Sequence, residues 1–275
     1  MNFQKNVSLS DFSNYNIGGP AKLFAEVFST EELKEVLRLP SVAQDKIFIL
    51  GGGTNILIGD KGFDGLVIRN KIEGINVLQD GLEVGSGVLV KDLLNFCIDN
   101  SLSGLEWAGG LPGTIGGAIR GNAGAFKGET KDNVIQVQSL DLKTQNDIIR
   151  DKDQCDFGYR NSIFKSGEGT EEFITSVILE FRRGEKEEIK EKIQQKIDYR
   201  INRHPMDLPN IGSTFKNIPL DSLSKDLQKE FAQFVKIDPF PVVPTTKLLA
   251  LAGLKGRRMG DAMISDKHPN FIVNL

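Results

Sequence analysis

The sequence predicts an α+β protein in a single chain of 275 residues. Short apolar runs bounded by glycine indicate strands, and apolar residues at helical spacing lie between them. The order of strands and helices is mixed and shows no internal repeat, which is typical of the α+β class. The composition changes near Arg182-Arg183-Gly184. A chain of this length has room for two or three small domains.

The first third of the chain is predicted to hold one helix and several strands. Ser29 begins a Ser-x-x-Glu pattern that ends at Glu32, which is the capping box of a helix start. Ile47–Leu50 is predicted to be a short strand that runs directly into a run of three glycines. Further strands are predicted at Leu66–Ile68 and Leu82–Val84.

The middle of the chain is predicted to contain a second helix followed by two longer strands. The helix is indicated by an i, i+3, i+4, i+7, i+8 spacing of apolar residues. These residues are Val90, Leu93, Leu94, Cys97 and Ile98. Val134–Leu142 is predicted to be a strand, and Phe173–Phe181 a half-buried strand. The shared face of this last strand would hold Phe173, Val177, Leu179 and Phe181.

The last third of the chain is predicted to form a separate unit reached through a charged, exposed helix. That helix carries isoleucines four residues apart, at Ile189, Ile193 and Ile197. A further amphipathic helix is indicated by Leu223, Leu227, Phe231 and Phe234. Thr245 is predicted to cap a short helix that ends at Gly253, and Asn270–Asn274 to be a terminal strand.

Composition excludes several classes of protein. The net charge of −3 provides no basic surface for nucleic acid. No signal peptide and no run of 18 apolar residues is present, so we expect a cytoplasmic protein without a membrane partner. Two cysteines without a CxxC pattern predict neither a disulfide framework nor a metal site, and Cys97 is expected to be a core residue. His204 and His268 have no carboxylate spacing that would suggest a metal.

Two glycine-rich stretches, LGGGTNI at 50–56 and LEWAGGLPGTIGGAIRGNAG at 105–124, carry the strongest functional signal. Glycine allows the backbone to approach a ligand and exposes amides that bind anions. Tight turns would explain one such stretch. However, both stretches carry small hydrogen-bond donors beside their glycines, which favours a ligand-binding site. A flavin dinucleotide fits this lining. Neither stretch is a GxGxxG fingerprint inside a βαβ unit, and GxxxxGK[ST] is absent.

The candidate cofactor-binding residues come from both stretches. They are Gly51, Gly52, Gly53, Thr54, Asn55, Ile56, Gly110, Pro112, Gly113, Thr114, Gly116, Gly117, Asn122, Ala123 and Gly124.

Seven motifs in order resemble the UDP-N-acetylenolpyruvoylglucosamine reductase family. They are NIGGPA (16–21), LGGGTN (50–55), GLPGTIGGAIRGNAGA (110–125), FGYRNSIFK (157–165), GSTFKN (212–217), AGLKG (252–256) and SDKHPNFIVN (265–274). The resemblance implies a two-lobed FAD-binding domain of the vanillyl-alcohol oxidase type, followed by a small α+β substrate-binding domain. The expected division is lobe 1 at 1–70, lobe 2 at 71–184 and the substrate domain at 185–275.

The resemblance also implies a reaction. The family reduces the enolpyruvyl ether of UDP-N-acetylglucosamine to UDP-N-acetylmuramate, a peptidoglycan precursor, with non-covalent FAD and with NADPH as co-substrate. Hydride addition places negative charge on the substrate carboxylate, which a fixed cation stabilises. Arg160 matches the family's arginine in that role. Ser213 matches its proton-donating serine, although a hydroxyl needs hydrogen-bonded support to act as an acid.

Four further residues are expected to contact the UDP-sugar substrate. Tyr159 and Asn217 match substrate-contacting positions of the family, and Lys216 lies in the same short loop as Asn217. Arg203 lies where the family places a cation for the UDP diphosphate. For Arg160 and Arg203 a surface position without function is the alternative, and Ser213 could be a turn residue.

The sequence departs from the family pattern at its end. Family members continue with a helix and a strand that carry a catalytic glutamate, whereas no residue here matches that glutamate, and we expect a truncated chain. A catalytically silent flavin or UDP-sugar binding protein is therefore one alternative, and an oxygen-using flavin oxidase is another. Oxidases of that type often bind flavin covalently through His or Cys, which neither glycine stretch contains. The oligomeric state is open, with a monomer favoured.

Overall fold

The computed structural model describes residues 3–39 and 46–275, which form two lobes and a third, C-terminal part. Lobe 1 is a four-stranded sheet with one helix, in the strand order β1-β2-β4-β3. Its elements are β1 (Gln4–Ser8), β2 (Pro20–Val27), α1 (Thr30–Leu37), β3 (Ile47–Leu50) and β4 (Phe63–Asn70). The Ser29 hydroxyl accepts from the amide of Glu32 at 3.1 Å, so the predicted start of α1 is confirmed.

Both faces of the lobe 1 sheet are covered, as expected for a sheet whose central strands are parallel. β2 and β3 both run parallel to β4, and β1 adds an antiparallel edge. Successive residues of β2 therefore enter different apolar clusters. Phe24 packs with Leu9 and Val67 on one face, whereas Leu23 and Ala25 pack with α1 on the other.

Lobe 2 is built on an antiparallel five-stranded sheet in the order β11-β10-β12-β6-β5. Its first elements are β5 (Ile75–Leu78), β6 (Gly81–Gly85), α2 (Val90–Asp99), β7 (Leu102–Ser103), α3 (Ile115–Gly121), β8 (Gly124–Ala125) and β9 (Gly128–Glu129). They are followed by β10 (Val134–Asp141), β11 (Asp147–Asp151), α4 (Ile163–Ser166), β12 (Glu172–Leu179) and β13 (Arg182–Arg183). Cys97 and Cys155 are both free and buried in the core of this lobe.

A bulge in β12 divides its apolar residues between two cores. The pairing of β10 with β12 shifts between Gln138 and Ser139, and Thr175 is the extra residue. Val177 and Leu179 pack in the core of lobe 2, whereas Phe173 joins the cluster under α1 in lobe 1. The predicted single face was therefore wrong for Phe173, because one inserted residue turns the side chains before it to the opposite face. Phe173 thus joins the two lobes.

A long helix, α5 (Lys186–Arg203), follows lobe 2. Ile189 and Ile193 are buried in the core of lobe 2, so one face of this charged helix packs rather than being exposed. The domain boundary after residue 184 stays a prediction.

The C-terminal part consists of two small sheets and two helices. The strand orders are β14-β20-β19-β18 and β15-β17-β16. The elements are β14 (Asn210–Ser213), β15 (Ile218–Pro219), α6 (Lys225–Glu230), β16 (Lys236–Ile237), β17 (Pro241–Val243), α7 (Thr245–Leu251), β18 (Arg258–Met259), β19 (Ala262–Ile264) and β20 (Phe271–Asn274). The predicted terminal strand is confirmed.

Two helix predictions in this part need correction. The apolar pattern that begins at Leu223 forms only the short α6 and flanking single turns, with no buried residue. Thr245 is the first residue of α7 and not its cap, because its hydroxyl donates to the carbonyl of Lys216 at 2.5 Å. Gly253 follows the helix with φ +66°, as expected for its C-terminal end.

The C-terminal part is tied to both lobes by hydrogen bonds. The Tyr15 hydroxyl of lobe 1 donates to the carbonyl of Ile272 at 3.0 Å. The amide of Lys127, in the β8–β9 turn of lobe 2, donates to Oδ1 of Asp238 at 2.9 Å. In the described ranges, no helix combines the length and the apolar character that crossing a bilayer requires.

Candidate active site

The two glycine-rich stretches face each other in the folded chain. A Cβ on Gly52 would lie 2.9 Å from Cα of Gly113, and one on Gly51 would lie 2.7 Å from Oγ1 of Thr114. Gly113 has φ +104°, and a Cβ there would lie 2.8 Å from Oγ1 of Thr54. Backbones approach this closely only where side chains are missing, so these positions require glycine.

The first glycine-rich stretch forms a loop, and the backbone amides of this loop are available to bind an anion. Within the described ranges, no backbone or side-chain group accepts a hydrogen bond from the amides of Gly52, Gly53, Thr54 or Asn55. The carbonyl of Gly53 accepts from the amide of Asn14 at 3.0 Å, which holds the loop on lobe 1. Consecutive free amides are typical of phosphate-binding loops. The loop and its glycines therefore fit the diphosphate of FAD.

Other predicted cofactor residues lie in lobe 2, in α3 and in the segment before it. The amide of Gly116 donates to the carbonyl of Ser86 at 2.8 Å, and a Cβ on Gly116 would lie 3.0 Å from Cβ of Ser86. Asn122 is fully buried and ends α3 in the left-handed conformation, with Nδ2 donating to the carbonyl of Gly158 at 2.9 Å. Gly110 lies against α5. Contact of these residues with a cofactor stays a prediction.

The remaining residues of that prediction are divided between the two lobes. Ile56 packs against the core of lobe 1, and Ala123 against that of lobe 2. Pro112 and Gly117 are exposed on either side of the buried Thr114. They are therefore accessible to a ligand.

Arg160 is held by backbone and side-chain groups of lobe 2. Its backbone has φ +55°, and its carbonyl accepts from Nζ of Lys165 at 2.9 Å. Its Nη2 donates to the carbonyl of Gly124, and its Nη1 lies 3.8 Å from Oε1 of Glu129. The guanidinium also lies 5.0 Å from the ring centroid of Tyr159. About a third of the side chain (32%) remains exposed, so a ligand can reach it.

Several cations lie near Lys165, the residue whose Nζ donates to the carbonyl of Arg160. Burial, followed by the positive charges of Lys216, Arg120 and Arg160, lowers the pKa of Lys165. Lys216 belongs to the C-terminal part and the other three to lobe 2, so the two parts together form a cationic surface suited to anionic substrate groups.

The loop that carries Ser213 is brought against Tyr159. The amide of Asn217 donates to the Tyr159 hydroxyl at 3.3 Å, and Oδ1 of Asn217 accepts from the amide of Thr245 at 3.2 Å. Ser213 ends β14 opposite Phe271 and is exposed, which leaves its hydroxyl open to a ligand. The fold therefore brings Tyr159 and Arg160 of lobe 2 to the loop that holds Ser213, Lys216 and Asn217.

Buried Asn270 clamps the loop from the other side. Its carbonyl accepts from the amide of Thr214 at 2.8 Å, and its side chain exchanges hydrogen bonds with the backbone of Phe215 at 3.0 and 2.8 Å. Sequence reasoning missed Asn270, Thr245, Lys165 and Glu129 as parts of the site. Asn270 and Lys165 lie inside motifs that carry the family resemblance, so these motifs are the signal that points to them.

Arg203 is the last residue of α5 and is exposed. Within residues 3–39 and 46–275, its side chain forms no hydrogen bond and no ion pair. The following residue, His204, packs with His268 and Phe271, at ring-centroid distances of 5.0 and 4.8 Å. Burial, then the charges of His268, Arg200 and Lys267, lowers the pKa of His204 to about 4. The role of Arg203 as a substrate cation stays a prediction.

Comparisons with known proteins agree with this arrangement. A family model described as "FAD binding domain" matches residues 21–144, and one described as "UDP-N-acetylenolpyruvoylglucosamine reductase, C-terminal domain" matches residues 204–275. The UDP-N-acetylenolpyruvoylglucosamine reductase of Caldanaerobacter subterraneus is 34% identical over 274 residues, which are 98% of this chain and 81% of the relative. The Clostridium tetani reductase is 32% identical over 275 residues, with 99% and 81% covered. The chain belongs to the UDP-N-acetylenolpyruvoylglucosamine reductase family.

Solved structures support the same fold. The crystal structure of the family member from Thermus caldophilus matches with a TM-score of 0.77 and 31% identity, covering 100% of this chain and 88% of that one. A variant of berberine bridge enzyme matches with a TM-score of 0.52 and 16% identity, covering 68% and 42%, which supports the fold alone. The predicted α+β class, with a two-lobed FAD-binding domain of the vanillyl-alcohol oxidase type, is confirmed.

Proposed function

We propose that this chain reduces UDP-N-acetyl-3-O-(1-carboxyvinyl)-glucosamine to UDP-N-acetylmuramate, with NADPH as reductant and non-covalent FAD as cofactor. Family membership supports the reaction, and the FAD-binding domain supports the cofactor. The observation that carries the proposal is the contact of Tyr159 with the amide of Asn217 at 3.3 Å, because it brings the Arg160 segment to the Ser213 loop.

FAD, when bound, supplies hydride transfer from NADPH to the methylene carbon of the enolpyruvyl group. The protein positions the reactants and stabilises charge. Arg160 is the cation for the negative charge that develops on the substrate carboxylate, and its attachment to Gly124 fixes it before the reaction. Ser213 donates the proton that the α carbon requires. Its exposed hydroxyl lies at the end of β14, at the start of a loop clamped by Asn270.

The remaining predicted residues would hold the UDP-sugar. Tyr159 and Asn217 form a contact between lobe 2 and the C-terminal part, and Lys216 precedes Asn217 in the same loop. Arg203 is the proposed cation for the diphosphate, since its exposed guanidinium has no ion pair within the described residues. A cytoplasmic location and a monomeric state remain predictions.

The experiment is a sequence of visible spectra under nitrogen. The purified protein should show the bands of oxidised flavin, lose them on addition of NADPH, and recover them on addition of the enolpyruvyl sugar. Recovery only when oxygen is admitted would indicate an oxidase, and no recovery with either would indicate a silent binding protein. A protein that binds no flavin would refute the proposal at its first step.

A further inference from the structure

Glu129 is a buried carboxylate beside Arg160, and the reaction proposed above assigns it no role. It ends β9, and the short hairpin pairs it with Gly124 of β8. The whole residue is 5% exposed. A carboxylate this buried is costly unless cations and donors surround it.

The carboxylate of Glu129 is anchored on the side away from Arg160. Its Oε2 lies 3.1 Å from Nζ of Lys131. The amide of Glu129 also donates to Oδ2 of Asp132 at 2.8 Å, which fixes the backbone that carries the carboxylate. These contacts set the direction in which the other oxygen, Oε1, points.

Oε1 points at the guanidinium of Arg160. It lies 3.8 Å from Nη1, and among the described residues neither of these two buried atoms has a hydrogen-bond partner. The neighbouring Nη2 donates to the carbonyl of Gly124. One β-hairpin pair therefore lies against both terminal nitrogens of the guanidinium: Gly124 accepts a hydrogen bond from Nη2, and Glu129 forms an ion pair with Nη1 at 3.8 Å.

The hairpin needs glycine at position 124 for this arrangement. A Cβ there would lie 2.9 Å from Nη1 of Arg160 and 2.9 Å from Cγ of Glu129. Any side chain would therefore push the cation and the carboxylate apart. The close approach of the three residues is a built feature of the hairpin.

We propose that Glu129 is a positioning residue for Arg160, which fixes the plane of the guanidinium so that the remaining exposed part meets the substrate carboxylate. The inference rests on the proposed function, because it assigns Glu129 a role in the step that Arg160 serves. A cation stabilises a transition state most when it is already oriented, and small misplacements are costly. Glu129 touches neither substrate nor cofactor in this role.

The test is the Glu129→Gln variant, which keeps the shape of the side chain and removes its charge. Stopped-flow measurements would follow flavin reduction by NADPH and flavin reoxidation by the enolpyruvyl sugar separately. We expect reoxidation to slow about ten- to hundred-fold, the scale of a misplaced group, while reduction changes little. In an Arg160→Ala background the same substitution should cause no further slowing, because residues that act as a unit are not additive.

Glu172→Gln is the matched control. Glu172 is 6% exposed and pairs with Arg150 at 2.7 Å in the same lobe, and among the described residues neither of them has a hydrogen bond or ion pair with Arg160. Its loss should lower the melting temperature and leave the ratio of the two half-reaction rates unchanged. The positioning role would be overturned if Glu129→Gln slowed both half-reactions equally. It would also be overturned if reoxidation became faster, because the carboxylate would then only weaken the positive charge of Arg160.

A second measurement does not depend on turnover. Urea unfolding of the parent, Glu129→Gln, Arg160→Ala and the double variant forms a mutant cycle. We expect Glu129→Gln to lower the stability of the parent more than that of Arg160→Ala. If the effects of the two substitutions on stability are additive, the role of Glu129 is wrong but the proposed function still stands. If the enolpyruvyl sugar does not reoxidise the flavin of the parent protein, the proposed function itself is wrong.

Discussion

Substitution of Gly52 by alanine tests whether the two glycine stretches form the FAD diphosphate site. The added Cβ would lie 2.9 Å from Cα of Gly113, 3.5 Å from its carbonyl carbon and 3.6 Å from the amide nitrogen of Thr114. Ordinary contacts begin at 3.4 Å, so the two loops must separate by about 0.5 Å. This separation moves the free amides of the first loop away from a bound diphosphate.

The magnitude follows from the hydrogen bonds at risk. A hydrogen bond to a charged group contributes about 1.5–3 kcal/mol, so weakening one amide–phosphate bond should raise the Kd for FAD about ten- to hundred-fold. The apoprotein should keep its melting temperature within a few degrees, because alanine also restricts the unfolded chain.

The assay is titration of the apoprotein with FAD, followed by flavin fluorescence. Gly59→Ala is the matched control, because Gly59 is also exposed and a Cβ there meets no atom within 4 Å. The control should bind FAD as the parent does. If Gly52→Ala also binds FAD with the parent's Kd, the loop does not hold the diphosphate, and the reasoning from its amides is wrong.

Three further predictions concern the reaction and the stability of the C-terminal part. Arg160→Ala should slow flavin reoxidation by the enolpyruvyl sugar about a hundred-fold or more and leave flavin reduction by NADPH nearly unchanged. The reason is that the charge stabilised by Arg160 develops only in the second half-reaction. Stopped-flow rates of both half-reactions test this. Ser213→Ala should abolish most turnover while flavin and substrate affinity stay close to those of the parent. An exposed hydroxyl contributes little to binding that is equal in the ground state and the transition state. Equal losses in affinity and turnover would contradict the proton-donor role. Burial beside His268 lowers the pKa of His204 from 6.5 to about 4, so its contribution to stability is complete above pH 6.5 and is lost as the pH falls towards 4. Melting temperatures of His204→Gln should therefore depend less on pH than those of the parent between these values, and identical slopes would show that another group titrates.

The sequence by itself determined the local elements and the family. Helical spacing of apolar residues located α1 and α2, because a helix repeats its side-chain directions at a fixed interval along the chain, and a short apolar run before glycine located β3. The glycine stretches indicated a ligand that needs bare backbone, and the seven motifs indicated the reductase family before any contact was known. Each of these patterns lies within a short segment of the chain, so it can be recognised without knowing the tertiary structure.

Only the tertiary structure decided which of these segments meet. Nothing near Phe173 in the sequence reveals the bulge at Thr175 that turns this side chain into the other lobe. Nor does local sequence place Glu129 beside Arg160, or the amide of Asn217 on the Tyr159 hydroxyl, since each pair is separated by many residues. Such contacts depend on strand register and on how the lobes pack, and both are set by the whole core rather than by any one segment.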